Sequence, residues 1–134
     1  MNGNIDWRDL FLSADGRLAR TPFLIGAAIL LVPFAFYQAV DSLTFHIVTG
    51  WLVYPLLIYC GVCVLSKRLH DRGRSGWFAL PIVLGLIATA PWPNSFFDFL
   101  WMLVIVWAAV ELGVLPGEQG ANRFGVNPLR PAIA

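Results

Sequence analysis

The densest run of residues able to do chemistry is Lys67, Arg68, His70, Asp71, Arg72 and Arg74, interleaved and closed by Gly73, Ser75, Gly76 and Trp77. Arginine forks match the oxygens of a phosphate or carboxylate, and glycines let a backbone come close to a ligand. One chemistry is therefore specific capture of a lipid phosphate or of an acidic partner segment. The plainer reading, which we prefer on sequence grounds, is a topology-setting segment drawn loosely to anionic headgroups at about 1 kcal/mol per basic residue. His70 beside Asp71 suggests an acid–base pair, but adjacent helical residues do not face each other. Lys67 and Arg68 are better placed to hold Asp71.

Glu111 is the acidic residue clearly inside an apolar run, where ionisable groups are functional candidates by default. Its position about five residues from the end of that run lets it pair with Arg17, Arg20, Lys67 or Arg68, and pairing is favoured over ion or proton handling. Cys60 and Cys63 have the spacing of a redox pair without its polar surroundings and read as small packing residues. No serine, cysteine or second histidine is spaced to build a nucleophile with its base. Metal-ligand clusters are missing as well. The expectation is a non-enzyme with no catalytic residues, metal or cofactor.

These side chains must be placed by apolar helices. The 134 residues are 58% hydrophobic and 13% charged, far from the balance of a water-soluble domain, and long stretches carry no charge at all. The runs predict four spans at about 22–40, 47–66, 76–91 and 96–115, preceded by a polar segment 1–21 and followed by a tail 116–134. Thr21 and Pro22 mark the start of the first, and no cleavable leader is expected before it. The second continues as a helix into the basic segment 67–75 and stops near Gly73. The third is the shortest, because Pro91 and Pro93 limit its helix to roughly fifteen residues. Pro33 and Pro55 fall inside the first two spans, Gln38 and Tyr37 offer polar contacts at the outer end of the first, and Trp77, Trp92 and Trp101 lie near span ends.

The basic residues set the orientation. Arg8, Arg17 and Arg20 precede the first span, Lys67, Arg68, Arg72 and Arg74 join the second and third, and Arg123 and Arg130 follow the fourth. All lie on one side, which the positive-inside rule makes cytoplasmic. The fold class is thus an all-α integral membrane protein, a four-transmembrane-helix bundle with N- and C-termini cytoplasmic.

Three patterns together resemble the domain of unknown function 805 family of small bacterial inner-membrane proteins. They are Gly16-Arg17 with Arg20 and Phe23, the run from Arg68 to Trp77, and Gly120-Ala121-Asn122-Arg123-Phe124-Gly125-Val126-Asn127-Pro128. The resemblance covers about residues 11 to 128 and implies a bacterial cytoplasmic membrane location. It marks Arg17, Arg20, Arg68, His70, Asp71, Gly73, Gly76, Trp77, Asn122, Arg123 and Gly125, and supplies no activity. All three motifs fall on the side assigned to the cytoplasm. With Arg72 and Arg74 they form a candidate functional face in which Arg17 and Arg20 lie near Asp71 or Glu111 and the tail returns against the central segment. The expected function is a non-enzymatic membrane adaptor, or a module binding anionic lipid or another membrane protein through this face, with no nucleic-acid partner. The alternatives are a small transporter or channel component acting as a homo-oligomer, argued from Pro33, Pro55 and Glu111, and, less favoured, a lipid-headgroup enzyme using His70.

Overall fold

A computed structural model describes residues 5–90 and 93–129. Pro91, Trp92 and Arg130, used above, lie outside them. The described chain is all-helical: α1 (Trp7–Leu12), α2 (Arg20–Gln38), α3 (Leu43–Asp71), a short 3-10 turn (Gly76–Phe78) leading into α4 (Ala79–Thr89), and α5 (Phe96–Ala109), which continues as a π turn (Val110–Val114). Three stretches are long and apolar enough to cross a membrane: Arg20–Gln38, Leu43–Asp71 and Phe96–Val114. The fourth apolar stretch, Gly76–Thr89, is shorter and reaches only about 22 Å, against a hydrocarbon core of about 30 Å. Phe36, Ile47, Trp51, Leu52, Phe96 and Phe97 are exposed on the outer faces, an apolar surface of the kind that suits lipid better than water.

Local chemistry explains the boundaries. Ser42 caps α3 by accepting a bond from the Phe45 amide at 3.2 Å, so the helix begins four residues before the expected start. At its other end Gly73 takes a positive φ of 72°. The Gly73 amide bonds the His70 carbonyl at 3.0 Å and the Arg74 amide bonds that of Leu69 at 2.8 Å, the paired closure that left-handed glycine permits. The 29 residues of α3 extend about 43 Å, so its basic end stands clear of an apolar layer about 30 Å thick. The expected cap on α2 is not found: the helix begins at Arg20 with Ala19 as its uncapped N-cap. Proline costs no bond anywhere in the first turn, whose amides lack helical partners in any case, so Pro22 did not fix the start.

Small residues set the helix spacing. A Cβ on Gly26 would touch Leu10, one on Gly61 would touch Val83, and one on Gly85 would come within 2.7 Å of the Trp101 ring. Trp101 is thus an interhelical packing group as well as a residue near a helix end. Gly85→Ala should lower stability by about 1–2 kcal/mol through overpacking, read as the unfolding midpoint of the detergent-solubilised protein. At the end away from the arginines, Tyr37 and Thr49 share a 3.0 Å hydrogen bond and the Tyr54 hydroxyl donates to Gln38 at 3.3 Å, fastening α2 to α3. Pro33 and Pro55 both lie within their helices, and Cys60 and Cys63 are buried free thiols.

Candidate functional site

The charged residues converge at the end of the bundle where α3 leaves its apolar stretch. Asp71 is the hub. Its Oδ1 accepts from Arg17 Nη2 at 2.9 Å and Nε at 3.0 Å, and its Oδ2 accepts from Arg68 Nη1. The Asp71, Arg17 and Arg68 side chains are all buried. Helical spacing presents Arg68 to Asp71, three residues apart, while Arg17 arrives from the segment before α2, which is tied to α3 by the Leu18 amide and the Lys67 carbonyl at 3.1 Å.

Arg68 does a second job. Its Nε bonds the Leu112 carbonyl at 2.7 Å and its Nη2 the Leu115 carbonyl at 2.6 Å, while its guanidinium lies 6.0 Å from the Phe23 ring centre. Arg20 adds a bond to the Val114 carbonyl at 3.1 Å, and Arg72 one to Pro116 at 2.6 Å. The carbonyls that close a helix have no helical donors, and arginine both satisfies them and complements the negative end of the helix dipole. Glu111, in the same π turn, accepts from Arg72 Nη2 and from Arg74 Nε, each at 3.0 Å and both on Oε1. Arg74 is also 5.6 Å from the Trp107 ring centre and is 45% exposed, the more accessible of the two guanidiniums on Glu111.

The tail folds back over this cluster. Arg17 reaches the carbonyls of Glu118 and Gly120, each at 2.7 Å, and the Glu118 amide bonds the Asp71 carbonyl at 2.8 Å. Asn122 Nδ2 bonds the His70 carbonyl at 2.9 Å, and the Phe124 ring stacks on the His70 imidazole with centres 3.8 Å apart. Asn122 and Gly125 exchange backbone bonds at 3.0 Å, making the turn that presents Phe124, and Arg123 lies 4.6 Å from the Phe124 ring centre. His70 Nδ1 is held by the Gly16 carbonyl at 2.9 Å. Gly76 passes so close that a Cβ there would come within 2.9 Å of His70 Nε2. Trp77 points away, 83% exposed.

The profile of the family described as "Protein of unknown function (DUF805)" matches residues 11–126. This chain belongs to the DUF805 family. Two bacterial relatives, each printed as "Uncharacterized protein YiiR", from Escherichia coli strain K12 and from Escherichia coli O157:H7, are 35% identical to it over 82 residues. The matches cover 50% of this chain and 56% of each relative, so the chain spans about half the length of the curated relatives it matches. No solved structure matches it.

The three sequence patterns of this DUF805 chain meet at one place: Arg17 and Arg20, the segment from Arg68 to Gly76, and Asn122 to Gly125 are joined by the bonds above. Four expectations change. Arg68 and Lys67 do not face headgroups but are buried, because α1 packs on α3 there and the π turn with the start of the tail closes over Arg68. Lys67 pairs with Asp9, at 2.9 Å, and not with Asp71. Glu111 pairs with Arg72 and Arg74, which flank Gly73 where α3 ends beside the π turn, and not with Arg17, Arg20, Lys67 or Arg68. Arg20 binds the Val114 carbonyl and neither Asp71 nor Glu111. Asp9, Glu118 and Phe124 were missed as candidates. Asp9 had a signal: Asp6 accepts bonds from the Arg8 and Asp9 amides, an N-cap ahead of the short helix α1 within the polar segment 1–21.

Proposed function

We propose that this chain is a non-enzymatic membrane module that recognises anionic lipid headgroups at the arginine-rich end of its helices, with both termini on the cytoplasmic side of a bacterial inner membrane. The observation that carries the reading is the charge balance of the cluster. Arg17 and Arg68 share Asp71, Arg72 and Arg74 share Glu111, and Arg20, on the Val114 carbonyl, lies at the same end with Glu118, whose carboxylate accepts from Asn122, so the end of the bundle keeps a positive excess. The buried members hold the fold together, while Arg74 and Arg123 stay accessible and Trp77, also exposed, offers a ring suited to the headgroup layer. His70 supports no acid–base role, because its ring is held by the Gly16 carbonyl and covered by Phe124. Glu111 is clamped by two guanidiniums, which argues for structure over ion transfer.

The test is retention of lipid through purification from vesicles of phosphatidylglycerol and phosphatidylcholine. Replacing Arg74 and Arg123 together by Gln should lower the retained ratio of the anionic to the zwitterionic lipid about tenfold at low salt, with insertion unchanged. A ratio that does not move defeats the lipid reading. A protein that accompanies the parent chain but not the double variant would replace it with an acidic partner.

A further inference from the structure

A hollow of about 190 Å³ lies among α2, α3, α4 and α5, and its wall is wholly apolar. It exists because small residues stand where the helices converge, Ala27 on α2, Gly61 on α3 and Ala108 and Ala109 on α5. Phe23 and Leu112 close the end nearest the arginines, where α2 packs on the π turn. Beyond that seam α2 and α5 make little contact with each other, leaving a half-open cleft. An apolar cavity of about 150 Å³ already stays dry and accepts a benzene-sized guest, so this one calls for a hydrocarbon occupant rather than water.

The spacing along α2 says which hydrocarbon. Phe23, Ala27, Leu30 and Phe34 line the cleft and recur at steps of three and four residues, which places them on one helical face. Arg20 stands on the same face one turn before Phe23. It is exposed and, among the described residues, gives a single hydrogen bond, to the Val114 carbonyl at 3.1 Å across the seam. A guanidinium carries five N–H donors, so most of its fork is left for a ligand. An apolar cleft with a cation at one end has the polarity of a phospholipid. We propose that the cleft holds one acyl chain of an anionic phospholipid whose phosphate lies against Arg20. The proposal rests on the headgroup reading above and deepens it by giving the lipid a defined seat.

The experiment places the full-length chain in vesicles of phosphatidylglycerol carrying a photoreactive group midway along one acyl chain, and maps the adducts by mass spectrometry. Labelling of Ala27, Leu30 and Ile105 should exceed that of the outward residues Ile47 and Leu52 about tenfold. Ala27→Leu, which fills the cleft, should remove that excess. Arg20→Gln should keep the adducts in place while reducing the advantage of phosphatidylglycerol over a phosphatidylcholine carrying the same probe. Even labelling of inward and outward faces in the parent chain overturns the cleft whether or not any variant folds. If the Arg74 and Arg123 substitutions still abolish the anionic preference in that case, the headgroup reading survives without it. Inward labelling with no headgroup preference in the parent chain overturns the phosphate assignment and the headgroup reading together.

Discussion

Asp71→Asn should destabilise the folded protein by about 3–5 kcal/mol, the range for removing one partner of a buried ion pair. The carboxylate neutralises two buried guanidiniums at once, Arg17 and Arg68. An amide in its place keeps the shape and loses the charge. Arg68 has no access to water and must stay where it is, because its other donors hold the Leu112 and Leu115 carbonyls. The uncompensated cation therefore remains inside, which makes the substitution costly. The measurement is the unfolding midpoint in mild detergent, followed by tryptophan fluorescence. A second comparison isolates the cause: in an Arg17→Gln background, where one of the two cations is already gone, the same substitution should cost less. Equal costs in both backgrounds would show that Asp71 does not couple to Arg17.

What could be read in the sequence was what depends on neighbours along the chain. The apolar runs gave the helices, Gly73 ended α3, and the three-residue spacing of Arg68 and Asp71 gave their pairing. The runs also gave the third stretch as the short one, though only the structure shows it turning through a 3-10 segment before α4. What could not be read was the partner of any residue whose side chain crosses between elements. Lys67 binds Asp9 because α1 packs across α3, and nothing near Lys67 in sequence announces that helix. Glu111 meets Arg72 and Arg74 because the end of α3 around Gly73 lies beside the π turn that closes α5, an encounter between segments about forty residues apart. The convergence of the three motifs was expected from the family resemblance that marks them together with the side that charge assigns to all three. The return of the tail against the central segment was part of that expectation; the depth to which it and α1 bury Arg17, Lys67, Arg68 and Asp71 was not, because burial depends on how elements distant in sequence pack together, and no periodicity along one segment carries that.

Gly117→Val should release that tail. A Cβ at Gly117 would overlap the Asp71 carboxylate, and one at Gly73 would run into Glu118, so the tail and α3 approach as closely as backbone allows. A valine forces one side to yield, and the energies decide which. Moving the carboxylate would uncover Arg68, for which no substitute exists at that depth. Lifting the tail exposes carbonyls of Glu118 and Gly120 and the Arg17 fork to water, which replaces those hydrogen bonds at a net cost of about 1 kcal/mol each. The tail therefore lifts and the hub stays. Cleavage by trypsin after Arg123 should accelerate about a hundredfold, as expected when a segment held by two to three kcal/mol becomes free. The unfolding midpoint of the helices should fall far less than in Asp71→Asn. A large drop in midpoint without faster cleavage would mean that the carboxylate yields first and that the tail, not Asp71, is the more firmly held of the two.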